Sequence, residues 1–412
     1  MTALVAEPAE VAAIATALAE APLVAFDLEF LSQDRLVPTL CLVQVAWLPH
    51  HPALDAGAGE LVAAELAKVI GATPPEVALV DPLAVDVSPI VQVLAEHRCA
   101  VVHAGRQDLQ LLATRFGVAM PSIVDTQVMA AFAGVGDQVG FATLANELLG
   151  TSLGKELQWT DWARRPLSDA QIVYADADVR HLPAIFARLA AQLGPRLAWA
   201  RAESMLVAAD AHAASRITPE TAWRQVGGLR GLDASALATV AALAAWRHRV
   251  ATELDRPLGQ VLNDKVLVDL ARQRPSEEAA VRSIKGIAPI ARKRAGEILT
   301  ALAEPAPVEM PARPLARAPS ARAQRWAELL LSIVQLVAEQ TGVAARLLAT
   351  RADAEEFARV VDERGLDAAE SLPARATWRR DVLGVAWVGW LTGELALVGD
   401  PTRASGLALV RR

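Results

Sequence analysis

Three short stretches of the chain hold side chains whose types and spacing suit the chemistry of divalent cations. In "VAFDLEF", Asp27 and Glu29 lie two apart on an apolar run of strand length, so both carboxylates leave the same face and can converge on one cation. In "VVHAGRQDLQLL", an apolar run ends near His103 and a helix begins near Gly105, which puts Asp108 in a first helical turn at the end of a sheet. In "RPLSDAQIVYADADVRHL", the single tyrosine of the chain, Tyr174, precedes Asp178 by four residues. Ser168 and Gln171 have capping-box spacing there, so a helix starts and Tyr174 and Asp178 share one face. Asp176, two positions from each, points elsewhere. Oxygen-only donors suit hard dications such as Mg²⁺ or Mn²⁺. Four carboxylates can serve two of them, an arrangement that stabilises both the attacking and the leaving oxygen of an in-line phosphoryl displacement. A phenol, with an ordinary pKa near 10, is a poor base at neutral pH but a good director of a nucleophilic water.

Each feature has a plainer reading. With 47 acidic residues in 412, about five acid-x-acid spacings arise by chance. Asp27 and Glu29 at an exposed strand end would be ordinary solvated charges. Asp108 in a first turn also suits the helix dipole. Against solvation stands the context: no lysine or arginine precedes Arg35 to neutralise an interior pair, and a dication would do so.

The elements that carry these groups read as one α/β domain. A helix over about residues 10–20 leads into the apolar runs "PLVAFDLEF", "TLCLVQVAWL" and "EVALVDP", then a helix near 88–97, the strand "CAVVHA" and a helix from Gly105 to Phe116. From Thr126 to about residue 193 the pattern is helical. Residues 230–303 are helical throughout, "EPAPVEMPARPLARAPSAR" has the composition of an extended linker, and residues 323–403 read as a second helical unit with Trp326, Trp378, Trp387 and Trp390 as anchors.

Composition excludes several classes. A hydrophobic fraction of 53% argues against disorder. The two cysteines, Cys41 and Cys99, fall inside apolar runs, which suits a reducing cytosol and supplies neither a disulfide framework nor a zinc site. The N-terminal stretch is acidic, the opposite of a secretory signal, and the most apolar window, "VLGVAWVGWLTGELALVG", is interrupted by Glu394 and reads as a buried helix. A cytoplasmic location and no membrane partner are therefore expected. Residues 1–200 hold 11 basic against 22 acidic residues and residues 201–412 hold 29 against 25. That asymmetry suits a cation-holding part and a polyanion-holding part, or two ordinary solvated surfaces.

The three motifs, in this order, resemble those of the DEDD superfamily of 3′-5′ exonucleases in its tyrosine variant; the histidine variant would place His where Val173 stands. In detail the first 190 residues resemble the ribonuclease D family. The likeness runs through "FDLEFLSQDRLVPTLCLVQVA", "VVHAGRQDLQLL", "IVDTQVMAAF" and "LGKELQWTDWARRPLSDAQIVYADADVRHL", including Asp125, Lys155, Trp162, Arg165 and Pro166. Residues 242–302 are similar to an HRDC domain. No G-x-x-x-x-G-K-[ST] loop occurs, so neither helicase activity nor a nucleotide cofactor is expected.

The resemblance implies a ribonuclease H-like mixed sheet with flanking helices, followed by all-α helical-bundle domains. It implies an exonuclease domain over 1–205, an HRDC-like domain over 225–305, a Pro/Arg-rich linker over 306–322 and a second, divergent helical domain over 323–412. Asp27, Glu29, Asp108 and Asp178 would hold two divalent cations and Tyr174 would orient the water. The substrate implied is RNA with a free 3′ end, of tRNA-precursor type, released as nucleoside 5′-monophosphates. The rivals are a DNA exonuclease with the same chemistry and a catalytically silent nucleic-acid-binding adaptor. Lys285, Arg292, Lys293 and Arg294 in "KGIAPIARKR" are candidates for phosphate contacts, or an ordinary charged helix face. Lys155 and Arg165 are candidates near the site, or surface cations. Asp125 reads as a helix cap, Trp246 as core, and Gln44 has no role that its context supplies. Nothing bears on oligomeric state.

Overall fold

The computed structural model describes residues 3–49, 68–70, 73–154, 157, 160–229, 231–305 and 319–412. The apolar runs become a six-stranded mixed sheet: β1 (Leu4–Val5), β2 (Val24–Leu31), β3 (Thr39–Trp47), β4 (Glu76–Val80), β5 (Ala100–Val102) and β6 (Ile123–Asp125), in the order β1-β4-β3-β2-β5-β6. β4 pairs antiparallel with β3 and parallel with β1, while β2, β5 and β6 run parallel to one another. β3 is buried almost end to end, as expected of an uninterrupted apolar run covered on both faces. β1 and β6, two and three residues long, are too short to show a period in the sequence.

Helices α1 (Pro8–Glu20), α2 (Ser88–Glu96) and α3 (Arg106–Phe116) connect the strands, and α4 (Thr126–Ala133), α5 (Phe141–Leu149), α6 (Asp169–Arg180), α7 (Leu182–Leu193) and α8 (Leu197–Ser215) follow the sheet. Ala25, Ala46, Val101 and Val124 of the sheet share one core with Met129 and Phe132 of α4 and Ile185 and Leu189 of α7. α6 packs against β4.

The chain forms two compact units, one of residues 1–29, 40–212 and 319–412, the other of 30–39 and 213–318. Residues 323–412, expected as a helical unit of their own, thus fall in the compact unit that holds the six-stranded sheet. The apolar faces of α15 (Ala321–Thr341) and α17 (Arg351–Arg364) supply Leu330, Val334 and Phe357 to the core already holding α4 and α7. Backbone bonds fasten them: Ala344 N–H donates to Ala131 O (3.0 Å), and Arg196 Nη1 donates to Phe132 O (3.0 Å) and Thr341 O (2.7 Å). Trp387 is fully buried with its indole N–H on Leu330 O (3.1 Å), and Trp378 packs edge-on to Phe132. The window read as one buried helix divides. Helix α18 (Val385–Thr392) stops at Gly393, whose φ of +81° is the left-handed region glycine favours, and the alternation Leu395-Ala396-Leu397 continues as strand β7 (Leu395–Gly399), paired with β8 (Leu407–Arg411). No single helix among the described residues is long and apolar enough to cross a membrane.

In the other unit, α9 (Ala234–Leu254) packs on α11 (Asp264–Gln273) and α14 (Ala295–Ala303) around Leu243, Trp246, Leu267 and Ile298. Trp246 is buried with its N–H on Glu297 (2.9 Å). Asp255, the left-handed cap of α9, accepts from Arg35 Nε (2.7 Å) and Leu36 N (3.1 Å), and Asp34 accepts from Gln260 Nε2 (2.7 Å), so the segment leaving β2 belongs to this unit. Short helices α10 (Leu258–Val261), α12 (Glu278–Ser283) and α13 (Pro289–Lys293) complete it, and α16 (Ala345–Leu348) links α15 to α17 in the first unit.

Candidate active site

Alternation along β2 buries Phe26 and Leu28 on one face and aims Asp27 and Glu29 from the other. Asp108 stands in the first turn of α3, 8% exposed. The turn that launches α3 is tight: Ala104 adopts φ +53°, and a Cβ on Gly105 would lie 2.6 Å from a Val102 methyl, so only glycine fits. Tyr174 and Asp178 come from α6, whose start is fixed by the expected reciprocal cap, Gln171 N to Ser168 Oγ (3.2 Å) and Ser168 N to Gln171 Oε1 (3.0 Å). Asp176 points away and pairs with Arg180 (2.6 Å).

One carboxylate oxygen each from Asp27, Glu29 and Asp178 falls within 4.8 Å of the other two. Asp108 lies outside that tight group but within its field. Burial pushes Asp27 up to about 7. Burial and the charges of Asp27, Asp178 and Asp108 push Glu29 up to about 9. Burial and the Asp27 charge push Asp178 up to about 8, although the neighbouring Tyr174 phenol favours the ionised form. Asp108 is raised well above the usual carboxylate range by burial, then by Asp27. Among the described residues no lysine or arginine relieves any of the four. Four converging carboxyls with oxygen donors only and no counter-charge fit divalent cations and little else.

Burial, then the charges of Asp178 and Glu29, push the Tyr174 pKa above the ordinary phenol value. The ring packs 6.0 Å from that of Trp162, which is 1% exposed. The phenol is thus a fixed donor, not a base.

The flanking candidates separate. Lys155 lies outside the described residues. Arg165, expected as a phosphate contact, is corrected to a structural clasp: it spends all five N–H groups inside the fold, on Asp81 (2.6 Å twice), Trp162 O (2.8 Å), Arg164 O (3.1 Å) and Cys41 O (2.7 Å). Its partner Asp81, 4% exposed, escaped the sequence reading; the signal was an acid directly after an apolar strand. In the helical unit Lys285, Arg292 and Lys293 are exposed, whereas Arg294 is held by Glu253 (2.7 Å) and Glu297 (3.3 Å). Asp125 caps α4 as expected, accepting from Gln127 N (2.8 Å). His103 bonds Thr126 Oγ1 through Nδ1 (3.0 Å). Gln44 is fully buried, and neither of its amide atoms has a partner among the described residues.

Comparison with known proteins agrees with this geometry. A 3′-5′ exonuclease family model matches residues 3–194 and an HRDC domain model matches residues 236–302. The chain is 33% identical over 406 residues to a ribonuclease D of Granulibacter bethesdensis, covering 96% of this chain and 94% of the relative. It is 34% identical over 404 residues to a ribonuclease D of Acidiphilium cryptum, covering 95% and 93%. Among solved structures, that of Escherichia coli RNase D, described as an exoribonuclease involved in structured RNA processing, superposes with a TM-score of 0.77 at 25% identity, covering 95% of this chain and 99% of that one. A third of the residues shared along nearly the whole of both chains, with nuclease and HRDC modules in the same order, leaves one assignment: the chain belongs to the ribonuclease D family of 3′-5′ exoribonucleases.

Proposed function

We propose that the chain shortens RNA from the 3′ end by hydrolysis assisted by two divalent cations, Mg²⁺ or Mn²⁺, releasing nucleoside 5′-monophosphates from structured, tRNA-precursor-like RNAs with single-stranded tails. The observation that carries this reading is the convergence of Asp27, Glu29 and Asp178 within 4.8 Å, with Tyr174 one helical turn before the last. Asp27, Glu29 and Asp178 would hold the cations, with Asp108 completing the set from its helix turn. Dications held there would supply Lewis-acid stabilisation of the charge developing on the phosphate and a more acidic water. Tyr174, kept protonated by its acidic neighbours, would donate a hydrogen bond to the attacking water and aim it in line with the scissile bond. Trp162 fixes the phenol ring. The exposed Lys285, Arg292 and Lys293 would grip phosphates of the RNA body without reading bases. Buried cysteines and the lack of a single membrane-spanning helix among the described residues support action in the cytoplasm.

The test is a time course on 5′-labelled RNA and on DNA of the same sequence, with Mg²⁺, Mn²⁺ or EDTA. A ladder shortening from the 3′ end on RNA, absent with EDTA, is expected; internal cuts or an EDTA-resistant reaction would overturn the reading. Calorimetric titration with Mn²⁺ should give two sites per chain.

A further inference from the structure

Within its own segment the turn that delivers Asp108 is held by the first helical bond, Leu109 N–H to Gly105 O (2.9 Å), while the N–H groups of Ala104 and Gly105 find their partner outside it. The turn before α3 contains a non-glycine residue at positive φ, Ala104, a conformation that strains every L-residue with a Cβ. Gly105, the residue before the helix, offers no side-chain cap. The stabilising group comes from the neighbouring strand. Asp125, the last residue of β6 and paired in register with Val102, is 4% exposed. Its Oδ1 accepts from Ala104 N (2.9 Å) as well as from Gln127 N (2.8 Å), and its Oδ2 accepts from Gly105 N (3.0 Å). Capping α4 uses only one of these three bonds. The other two close the strained turn three and four residues before Asp108. The Asp125 backbone is itself pinned, its N–H on Ser204 Oγ (3.0 Å) and that hydroxyl on Ala200 O (2.8 Å) of α8.

We infer that Asp125 is a positioning residue for the reaction: its carboxylate clamps the Ala104–Gly105 turn and so sets where the Asp108 carboxylate meets the cations. The inference rests on the cation-site reading above. Its charge also contributes to the raised pKa of Asp108, after burial and Asp27, which places the two carboxylates in one field.

The substitution that separates the two duties is Asp125→Ser. Serine is as good a helix cap as aspartate, but its single short hydroxyl cannot also span to Ala104 and Gly105. In Asp125→Ser, kcat on single-stranded RNA should fall by about 10–100-fold, the size of effect that a small misplacement of a reacting group produces. The Mn²⁺ concentration giving half-saturation by direct titration should rise several-fold, and KM for RNA should stay within about twofold of wild type. A merely structural aspartate would lower the melting temperature and leave both kcat per folded molecule and the Mn²⁺ midpoint unchanged, and that result would overturn the inference. Asp125→Asn, which keeps the two bonds to Oδ1 and turns an NH₂ against Gly105 N–H, serves if the serine variant fails to fold. It should move the Mn²⁺ midpoint in the same direction by less, and an unmoved midpoint in folded Asp125→Asn counts equally against the idea. Failure of the cation-site reading looks different: wild-type protein itself would then show no saturable Mn²⁺ binding.

Discussion

Tyr174 stands one helical turn before Asp178 on α6, so the lone tyrosine shares a helix face with an acid that also faces Asp27 and Glu29. Burial and its acidic neighbours keep the phenol protonated as a donor, and its ring lies 6.0 Å from that of Trp162. Replacement by phenylalanine removes the donor and keeps the ring. Tyr174→Phe should therefore lower kcat by about 100-fold, the usual cost of one oriented donor at a reacting centre, with the Mn²⁺ midpoint within twofold of wild type. Single-turnover assays with calorimetry would check it, and full activity in the variant would remove the phenol from the mechanism.

Asp178→Asn should abolish hydrolysis while leaving RNA binding largely intact. It also takes one of several mutually repelling carboxyls from the site, so the metal-free variant should melt at a higher temperature than metal-free wild type at pH 8. Calorimetric scanning in EDTA reads this directly, and equal melting temperatures would show that the cluster stores no repulsion.

The sign of the pH dependence follows from the same groups. Asp27, Glu29 and Asp178 titrate near 7, 9 and 8 in the metal-free fold against ordinary values of 3.8 and 4.5. Between about pH 4 and pH 9 the folded state holds more protons than the unfolded chain, so metal-free stability is full below about pH 4 and is lost as pH rises through that window. Cations bind the ionised cluster and reverse the loss. The rise in melting temperature on adding Mg²⁺ should be larger at pH 8.5 than at pH 6, and a rise that shrinks with pH would contradict the assignment.

Arg165 and Asp81 form a largely buried pair, with side-chain exposures of 25% and 6%. Arg165→Ala leaves Asp81 without its partner and should cost about 3 kcal/mol of stability by denaturant unfolding. Arg165→Lys should recover little, because a single ammonium cannot reach Asp81, Trp162 O and Cys41 O together. RNA affinity of the folded variants should be unchanged, which distinguishes a clasp from a phosphate contact.

Replacing Lys285, Arg292 and Lys293 together by alanine should weaken RNA binding equally across sequences. The slope of log affinity against log salt should flatten by about 2, as expected when three phosphate contacts to a single strand are lost. A slope unchanged in filter-binding titrations would place the RNA-gripping surface elsewhere.

The grouping of Asp27, Glu29 and Asp178 was legible because its physics is local: two acids on one face of an apolar strand, and an acid one helical turn after a tyrosine behind a capping box. The clasp of Arg165 was not legible. Its partners Asp81 and Cys41 lie 84 and 124 residues away, and no period links them. The clamp by Asp125 was half legible, since "VDTQ" announces a cap but not the two backbone N–H groups contributed by the turn that follows the neighbouring strand. The placing of α15 and α17 went unread for a related reason. An amphipathic helix shows that it has an apolar face, not which surface that face will cover.

That placing bears on how the molecule is made. The core beneath α4 and α7 is completed by Leu330, Phe357 and Trp387, which follow the whole of residues 213–318 in the chain. At about 5–20 residues per second, the ribosome needs about 9–35 s to pass from His212 to Trp387. During that interval the emerging sheet domain carries an apolar flank that its own later residues have yet to cover.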